Sequence, residues 1–165
     1  MEQLEQIHEE TIRDRYLTFL LGDQFFGVPI SDVVQIIGMQ PITTVPEFPA
    51  YAKGIINLRG SILPVIDLNL RFGRNETQYS ERTCIIVIDI QSYHVGFIVD
   101  AVDEVCEISA QDVQPPPIMG KSTTANYIMG IGRHEQGVTL LLDTQQVLSE
   151  TAIAQITSET EEKDD

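Results

Sequence analysis

The chain has 165 residues, of which 42% are hydrophobic, and a formal net charge of −15. This length fits one domain or two small units that share a core. No apolar run reaches the ~18 residues that a membrane-spanning helix needs. The acidic balance argues against a nucleic-acid partner, which would require a basic surface. Because the N-terminus is acidic and lacks a signal segment, we expect a cytoplasmic protein.

The first half of the chain predicts two hairpins. YLTFLLG and QFFGVPI flank a Gly22-Asp23 turn, and GIINL and SILPVIDL flank a second turn. Between them, SDVVQII fits either a short helix that begins at Ser31 or a bent strand. A connector with three prolines follows it and excludes a continuous helix or a central strand. NLRFG then predicts one or two helical turns closed by Gly73.

The second half repeats this order. TCIIVIDI and YHVGFIV flank Gln91-Ser92, DAVDEVCEI continues the pattern, and a second proline-rich loop interrupts it. A last hairpin joins YIMGIGR to GVTLLLD and precedes the helical segment TQQVLSE. Two cysteines, Cys84 and Cys106, lie in apolar runs, so we expect buried thiols and no disulfide framework.

An internal duplication would explain this repetition. Gly27 matches Gly96 at an offset of 69, and Gly54 matches Gly130 at an offset of 76, with the extra residues in a proline-rich connector. A hairpin pair buries little surface alone, so each half predicts a small closed barrel. Chance similarity between two β-rich halves stays open as the alternative.

Motifs for catalysis are missing from the sequence. It contains no phosphate-binding loop, no dinucleotide fingerprint, no zinc-protease helix and no serine elbow. The histidines are expected to be solvated, and they are His8, His94 and His134. Four apolar runs end in aspartate, which favours capping of turns over a metal site. These aspartates are Asp67, Asp89, Asp100 and Asp143.

Charge is distributed unevenly along the body of the chain. Residues 53–82 carry five basic and three acidic side chains, whereas residues 83–143 carry two basic and eight acidic ones. Such asymmetry can steer partners, although solvated surface charge would explain it equally well.

The segment NLRG places an arginine at the tip of the second hairpin. Gly60 supplies the positive φ that a tight turn needs, and Asn57 can bond loop backbone groups. Arg59 then presents a planar donor fork to solvent, which suits a bidentate contact with a carboxylate. An arginine that only solubilises the turn is the alternative.

The order of these segments resembles the CheW family of chemotaxis coupling proteins over about residues 15–149. GIINLRGSILPVIDL carries most of this resemblance, and the flanking hairpins agree in order and spacing. The resemblance implies a mainly β fold of two small five-stranded SH3/OB-like barrels with short helices, including a C-terminal one. We expect an acidic extension (1–14), a CheW-like domain (15–150) and an acidic tail (151–165). The domain would comprise subdomains at about 15–74 and 82–142 and a closing helix at about 143–150.

The resemblance also implies partners. Family members are scaffolds that bridge the cytoplasmic tips of methyl-accepting chemoreceptors and the regulatory domain of a CheA-type histidine kinase. The chain would then work at membrane-associated receptor arrays, without inserting into the membrane, catalysing a reaction or holding a cofactor or metal. Among the positions that match the family's partner-binding surfaces, the resemblance puts Arg59, Asn57 and Gly60 at the receptor groove. It links Val33 and Gln35 to receptor contact as well, with Val102 and Val105 as candidates that border the groove between the barrels.

One of these positions departs from the family pattern. Gln35 stands where an acid is usual, while the second half keeps an acid at Glu104. This substitution and the acidic tail are compatible with a different pathway, such as an adaptor for pilus-driven motility. A nucleic-acid- or small-ligand-binding barrel would need basic and aromatic residues along one face, and the acidic, tryptophan-free chain argues against it.

Overall fold

A computed structural model describes residues 14–116, 124–134 and 137–148, and it contains two β-sheets. The strands of the six-stranded sheet, in spatial order, are β8 (Ala101–Glu107), β1 (Arg15–Leu21), β2 (Gln24–Pro29), β11 (Gly137–Leu142), β10 (Ile128–His134) and β9 (Val113–Gln114). Those of the five-stranded sheet are β3 (Val33–Gly38), β6 (Cys84–Ile90), β7 (Tyr93–Val99), β5 (Ser61–Asp67) and β4 (Ala52–Leu58). Two one-turn helices follow β5 and β11, and they are α1 (Leu68–Arg71) and α2 (Thr144–Val147). The mainly β fold is therefore confirmed.

The ambiguous segment SDVVQII is a strand preceded by a 3-10 turn. The turn covers Ile30–Asp32, and no side chain caps it, so Ser31 does not begin a helix. β3 follows and pairs antiparallel with β6, with Ile36 opposite Ile86. Pairing with a strand distant in sequence satisfies the backbone here and overrides the local helical spacing.

The duplication is visible in the strand order of the two sheets. If β1 to β5 are matched with β6, β7, β8, β10 and β11, the order β3-β6-β7-β5-β4 becomes β8-β1-β2-β11-β10. Both sheets are therefore built on the same plan. Each sheet takes strands from both halves of the chain, so the contiguous subdomains 15–74 and 82–142 require correction. The physical reason is that β1 and β6 each pair with the edge strand of the opposite half, β8 and β3 respectively.

We expected five strands in each of the two units, and one of the two sheets has five strands whereas the other has six. β9 adds a two-residue strand beside β10, opposite Ile131 and Gly132. In the other sheet the corresponding place holds a single bridge between Thr43 and Ile55. In each half of the chain, the connector therefore pairs with the outer strand of a sheet. The pairing covers two residues in the six-stranded sheet and one residue in the five-stranded sheet.

The main core lies between the sheets and unites both halves. It combines Phe19 and Phe26 from the first two strands with Ile86, Ile88 and others from the five-stranded sheet. A smaller cluster fills the interior of the five-stranded sheet, and its buried members are Ile56, Leu63, Val65, Ile85, Val87 and Ile98. None of the helices in the described ranges is long and apolar enough to cross a membrane.

The four aspartates that end apolar runs all accept backbone hydrogen bonds. Asp67 accepts from Leu70 N and Asp143 from Gln145 N, at the starts of α1 and α2. The other two bond turns, since Asp100 Oδ2 accepts from Gly22 N at 2.7 Å and Asp89 Oδ1 from Ser92 N at 3.0 Å. The capping interpretation is confirmed.

The terminal helix and the thiols differ in extent from the expectation. α2 has only four residues, because Leu148 returns to an extended conformation. The remainder of the predicted helix, the segments 1–13 and 151–165, and His8 lie outside the described residues. Cys84 and Cys106 are free but half-buried, not buried, and burial raises the pKa of both thiols.

Asp67 anchors the loop that links the two halves. Its carboxylate is fully buried, and its Oδ2 accepts a 2.8 Å hydrogen bond from the Tyr79 hydroxyl. Burial, together with the hydrogen bond and charge of Asp67, raises the pKa of Tyr79 above its usual value. The protonated phenol therefore stabilises the folded state.

The substitution Tyr79→Phe is expected to lower the free energy of unfolding by about 2 kcal/mol at neutral pH, because it removes a hydrogen-bond donor from a buried carboxylate. Since the folded pKa is raised, this contribution is complete below about pH 10 and is lost as the pH rises further. Urea unfolding at several pH values measures it. The control Tyr93→Phe changes an exposed tyrosine, and equal stability of the two variants would contradict the role of Tyr79.

Candidate functional site

The two-residue turn between β4 and β5 carries Arg59 and Gly60. Both have positive φ, 54° and 90°, as a type I′ hairpin turn requires. Asn57 Oδ1 accepts a 2.9 Å hydrogen bond from Gly60 N, which fixes the tip. The expected roles of Asn57 and Gly60 in the turn are therefore confirmed.

Arg59 is a costly residue for this backbone. A left-handed conformation suits glycine or asparagine and costs other residues about 1 kcal/mol. Its side chain is exposed, and no carboxylate in the described part of the chain forms an ion pair with it. Neither the turn nor the packing requires an arginine here, so the stability of the turn does not explain this residue.

Arg59 lines a cleft formed by residues of the five-stranded sheet. The cleft has a volume of about 270 Å³ and is lined by Val34, Gln35, Leu58, Arg59, Ser61, Leu63, Val87 and His94. It therefore brings together Arg59 and Gln35, two of the predicted site residues. The register of β3 against β6 shifts between Val33 and Gln35, and such a bulge re-aims the side chains beside it.

The predicted valines lie elsewhere. Val33 and Val102 are partly buried against the main core, which favours core packing for both. Val105 is 46% exposed, but it lies on β8, in the other sheet. The structure does not bring these three residues to the Arg59 cleft, and their partner contacts stay predictions.

Sequence reasoning missed Val34 and His94 as cleft residues. Strand alternation alone would turn Val34 away from Gln35, but the bulge exposes both. His94 is exposed, as expected for a solvated histidine, yet it faces the same cleft as Arg59. The periodic pattern gives no indication of this, because the cleft forms between strands distant in sequence.

The duplication produces a second cleft in the six-stranded sheet. Its volume is about 200 Å³, and it is lined by Thr18, Phe25, Asp103, Glu104, Cys106, His134 and Thr139. Applying the two offsets places Phe25 where the first cleft has His94, and Glu104 where it has Gln35. The two clefts thus share a position in the fold, but one presents a guanidinium and the other presents carboxylates.

His134 is not the solvated side chain that the sequence suggested. It is half-buried, its Nε2 lies 2.7 Å from Thr139 Oγ1, and its ring packs edge-on against Phe25 at 6.4 Å. The reason is the register of the last hairpin, in which His134 pairs with Gly137 next to the turn. Thr139 lies two residues further along β11, diagonally opposite His134 and within reach of its ring.

Comparison with known proteins decides the family. The family model described as CheW-like domain matches residues 15–152. The chain belongs to the CheW-like family. Two curated relatives are a chemotaxis protein CheW from Klebsiella aerogenes and a probable chemotaxis protein CheW from Rhizobium etli. The first is 32% identical over 88% of this chain and 87% of the relative, and the second is 36% identical over 82% and 87%.

The fold agrees with the solved structure of a family member. A CheW scaffolding protein from Thermoanaerobacter tengcongensis superimposes with a TM-score of 0.77 at 33% identity, over 84% of this chain and 94% of that one. The resemblance of the NLRG region and of the flanking hairpins to the CheW family is therefore confirmed.

Proposed function

We propose that this protein is a non-catalytic scaffold that couples methyl-accepting chemoreceptors to the regulatory domain of a CheA-type histidine kinase at membrane-associated arrays. The supporting observation is Arg59, an exposed arginine at a strained turn that forms no ion pair with any residue the structure describes. Arginine is prominent among the residues that carry the binding energy of protein interfaces. In this proposal the docking surface is the cleft formed by Arg59, Gln35 and their neighbours.

A bridging protein needs two surfaces that differ. Contacts between unlike partners are heterologous, so the same patch cannot serve both sides. The duplicated clefts meet this requirement, since one carries Arg59 and the other carries Asp103 and Glu104. The uneven charge along the sequence is the origin of this difference. The curated relatives are named as chemotaxis proteins, which favours this role over the pilus-pathway alternative.

A reconstitution tests the coupling role. Vesicles that carry a receptor from the same organism are mixed with its CheA-type kinase, with and without this protein, and then sedimented. We expect the kinase to enter the pellet, and its autophosphorylation to rise, only when the protein is present. A kinase that stays in the supernatant, or that sediments equally without the protein, would contradict the proposal.

A further inference from the structure

In the described part of the chain, each sheet ends in two edge strands, and three of these four edges are protected against pairing with another chain. The open side of β4 is bridged by the proline-containing connector, through hydrogen bonds between Thr43 and Ile55. β9 has only two residues and leads into Pro115 and Pro116, which lack an amide donor. β8 carries exposed carboxylates, and charge on an edge strand discourages pairing. These carboxylates belong to Asp103, Glu104 and Glu107.

The fourth edge, β3, has no such protection. It pairs with β6 and with no other strand in the described ranges. None of the residues between Asp32 and Glu47 is charged, and Asp32 itself accepts a 2.8 Å hydrogen bond from Thr144 Oγ1. Val34 and Ile36 are nevertheless 43% and 45% exposed. β3 therefore combines an open edge with exposed apolar side chains, which natural edge strands avoid unless another strand covers them.

The duplication indicates that the fold does not require an uncharged strand at this place. β8 is the equivalent strand, and at an offset of 69 it has carboxylates where β3 has Val34, Gln35 and Gly38. Charge is therefore accepted at these positions of the duplicated unit. The lack of charge in β3 is a property of this edge and not of the packing behind it.

A second copy of the chain is the occupant that the charge pattern of this edge fits. Two β8 strands would bring the three carboxylates of each copy together, and a β8 strand beside β3 would place them against apolar groups without a basic partner. Two β3 strands avoid both costs, because every side chain of either strand is uncharged. A two-fold axis near Gln35 and Ile36 would set the strands antiparallel. Such a contact is closed, since it uses the unprotected edge of both copies.

We propose that two copies of this chain pair through β3 as a closed antiparallel dimer, in which their five-stranded sheets join into one continuous sheet. The inference goes beyond the proposed coupling role, because it requires no other protein. Pairing covers Val34 and Gln35, which line the Arg59 cleft, so the dimer is a form in which this cleft is partly closed. A pair of six-residue strands is a small interface. We therefore expect a weak, reversible dimer with a Kd of about 50 μM.

Sedimentation equilibrium of the full chain tests this from about 5 μM to about 500 μM, on either side of the expected Kd. A salt concentration of about 0.15 M screens the repulsion between two acidic chains beyond about 8 Å. We expect the mass to rise from that of one copy to that of two and to stop there. Hydrogen exchange should show protection of β3 amides that increases with concentration, while the protection of β8 amides stays unchanged.

Ile36→Lys and Val105→Lys form a matched pair of variants. The two residues are equivalent in the duplication and almost equally exposed, and the two substitutions change the net charge by the same amount. Ile36→Lys should weaken the dimer more than about tenfold, because two ammonium groups then meet near the axis. Val105→Lys should stay within about twofold of the wild type, as for a residue outside the contact. Thermal unfolding checks the folding of both, and Gln35→Lys replaces Ile36→Lys if that variant unfolds.

A wild type that stays monomeric over this range, or a mass that grows beyond two copies, would overturn the inference and leave the coupling role intact. Dimerisation of folded Ile36→Lys as strong as that of the wild type would overturn it as well, since the contact would then lie on another surface. Equal losses in both lysine variants would do the same, because β3 would have no specific part in the contact.

Discussion

The substitution Gly54→Ala is expected to lower the free energy of unfolding by about 4 kcal/mol, through backbone strain and a steric clash. Gly54 has a φ of 146°, and a Cβ there would lie 2.1 Å from the carbonyl oxygen of Thr43. Thr43 and Ile55 exchange two 2.9 Å backbone hydrogen bonds across this contact. An alanine would therefore push the proline-containing connector away from β4. Urea unfolding, followed by circular dichroism, measures the loss.

Gly38→Ala is the control for this experiment. Gly38 lies at the end of β3 in the same sheet, and a Cβ there would meet no atom within 4 Å. We expect its stability to stay within about 0.5 kcal/mol of the wild type, as for surface substitutions in general. Similar stabilities for the two variants would show that the connector does not press on β4.

The substitution Arg59→Gly is expected to separate binding from stability. Glycine adopts the φ of 54° without strain, so we expect the protein to gain about 1 kcal/mol of stability. Loss of the guanidinium should weaken formation of the receptor–kinase complex about tenfold, as for an interface anchor. Thermal unfolding and co-sedimentation with receptor vesicles and kinase measure the two effects on the same sample.

The hairpin between β6 and β7 provides a matched control. Gln91 occupies its tip with a φ of 51°, close to that of Arg59, and it is also exposed. Gln91→Gly should give the same gain in stability and leave complex formation unchanged. Unfolding of Arg59→Gly would make the arginine a structural turn residue, and equal binding losses in both variants would remove any specific role of the Arg59 cleft.

The hairpins were predictable because each one is encoded by neighbouring residues, a short turn between two apolar runs. The Gly22-Asp23 and Gln91-Ser92 pairs marked hairpins that the structure contains, and both offsets of the duplication follow real strand correspondences. The exchange of strands between halves was not predictable. β3 pairs with β6 and β1 with β8, and a sequence pattern specifies which face is buried but not which distant edge it joins.

The site was predictable only in part, for a similar reason. Arg59 and Asn57 stood out because a two-residue turn has strict backbone requirements. Val34 and His94 were missed because one depends on a bulge and the other on the meeting of distant strands. His134 was misjudged because its partner Thr139 lies across a hairpin. Contacts set by tertiary packing have no periodic signature.

The docking role of the Arg59 cleft is tested most directly by mapping backbone amide resonances when the labelled protein binds the kinase regulatory domain or a receptor hairpin tip. We expect at least one partner to perturb the amides around the cleft, which are those of Leu58 to Ser61, Gln35 and His94. Perturbations confined to other surfaces with both partners, and an unchanged Arg59 turn, would contradict this role.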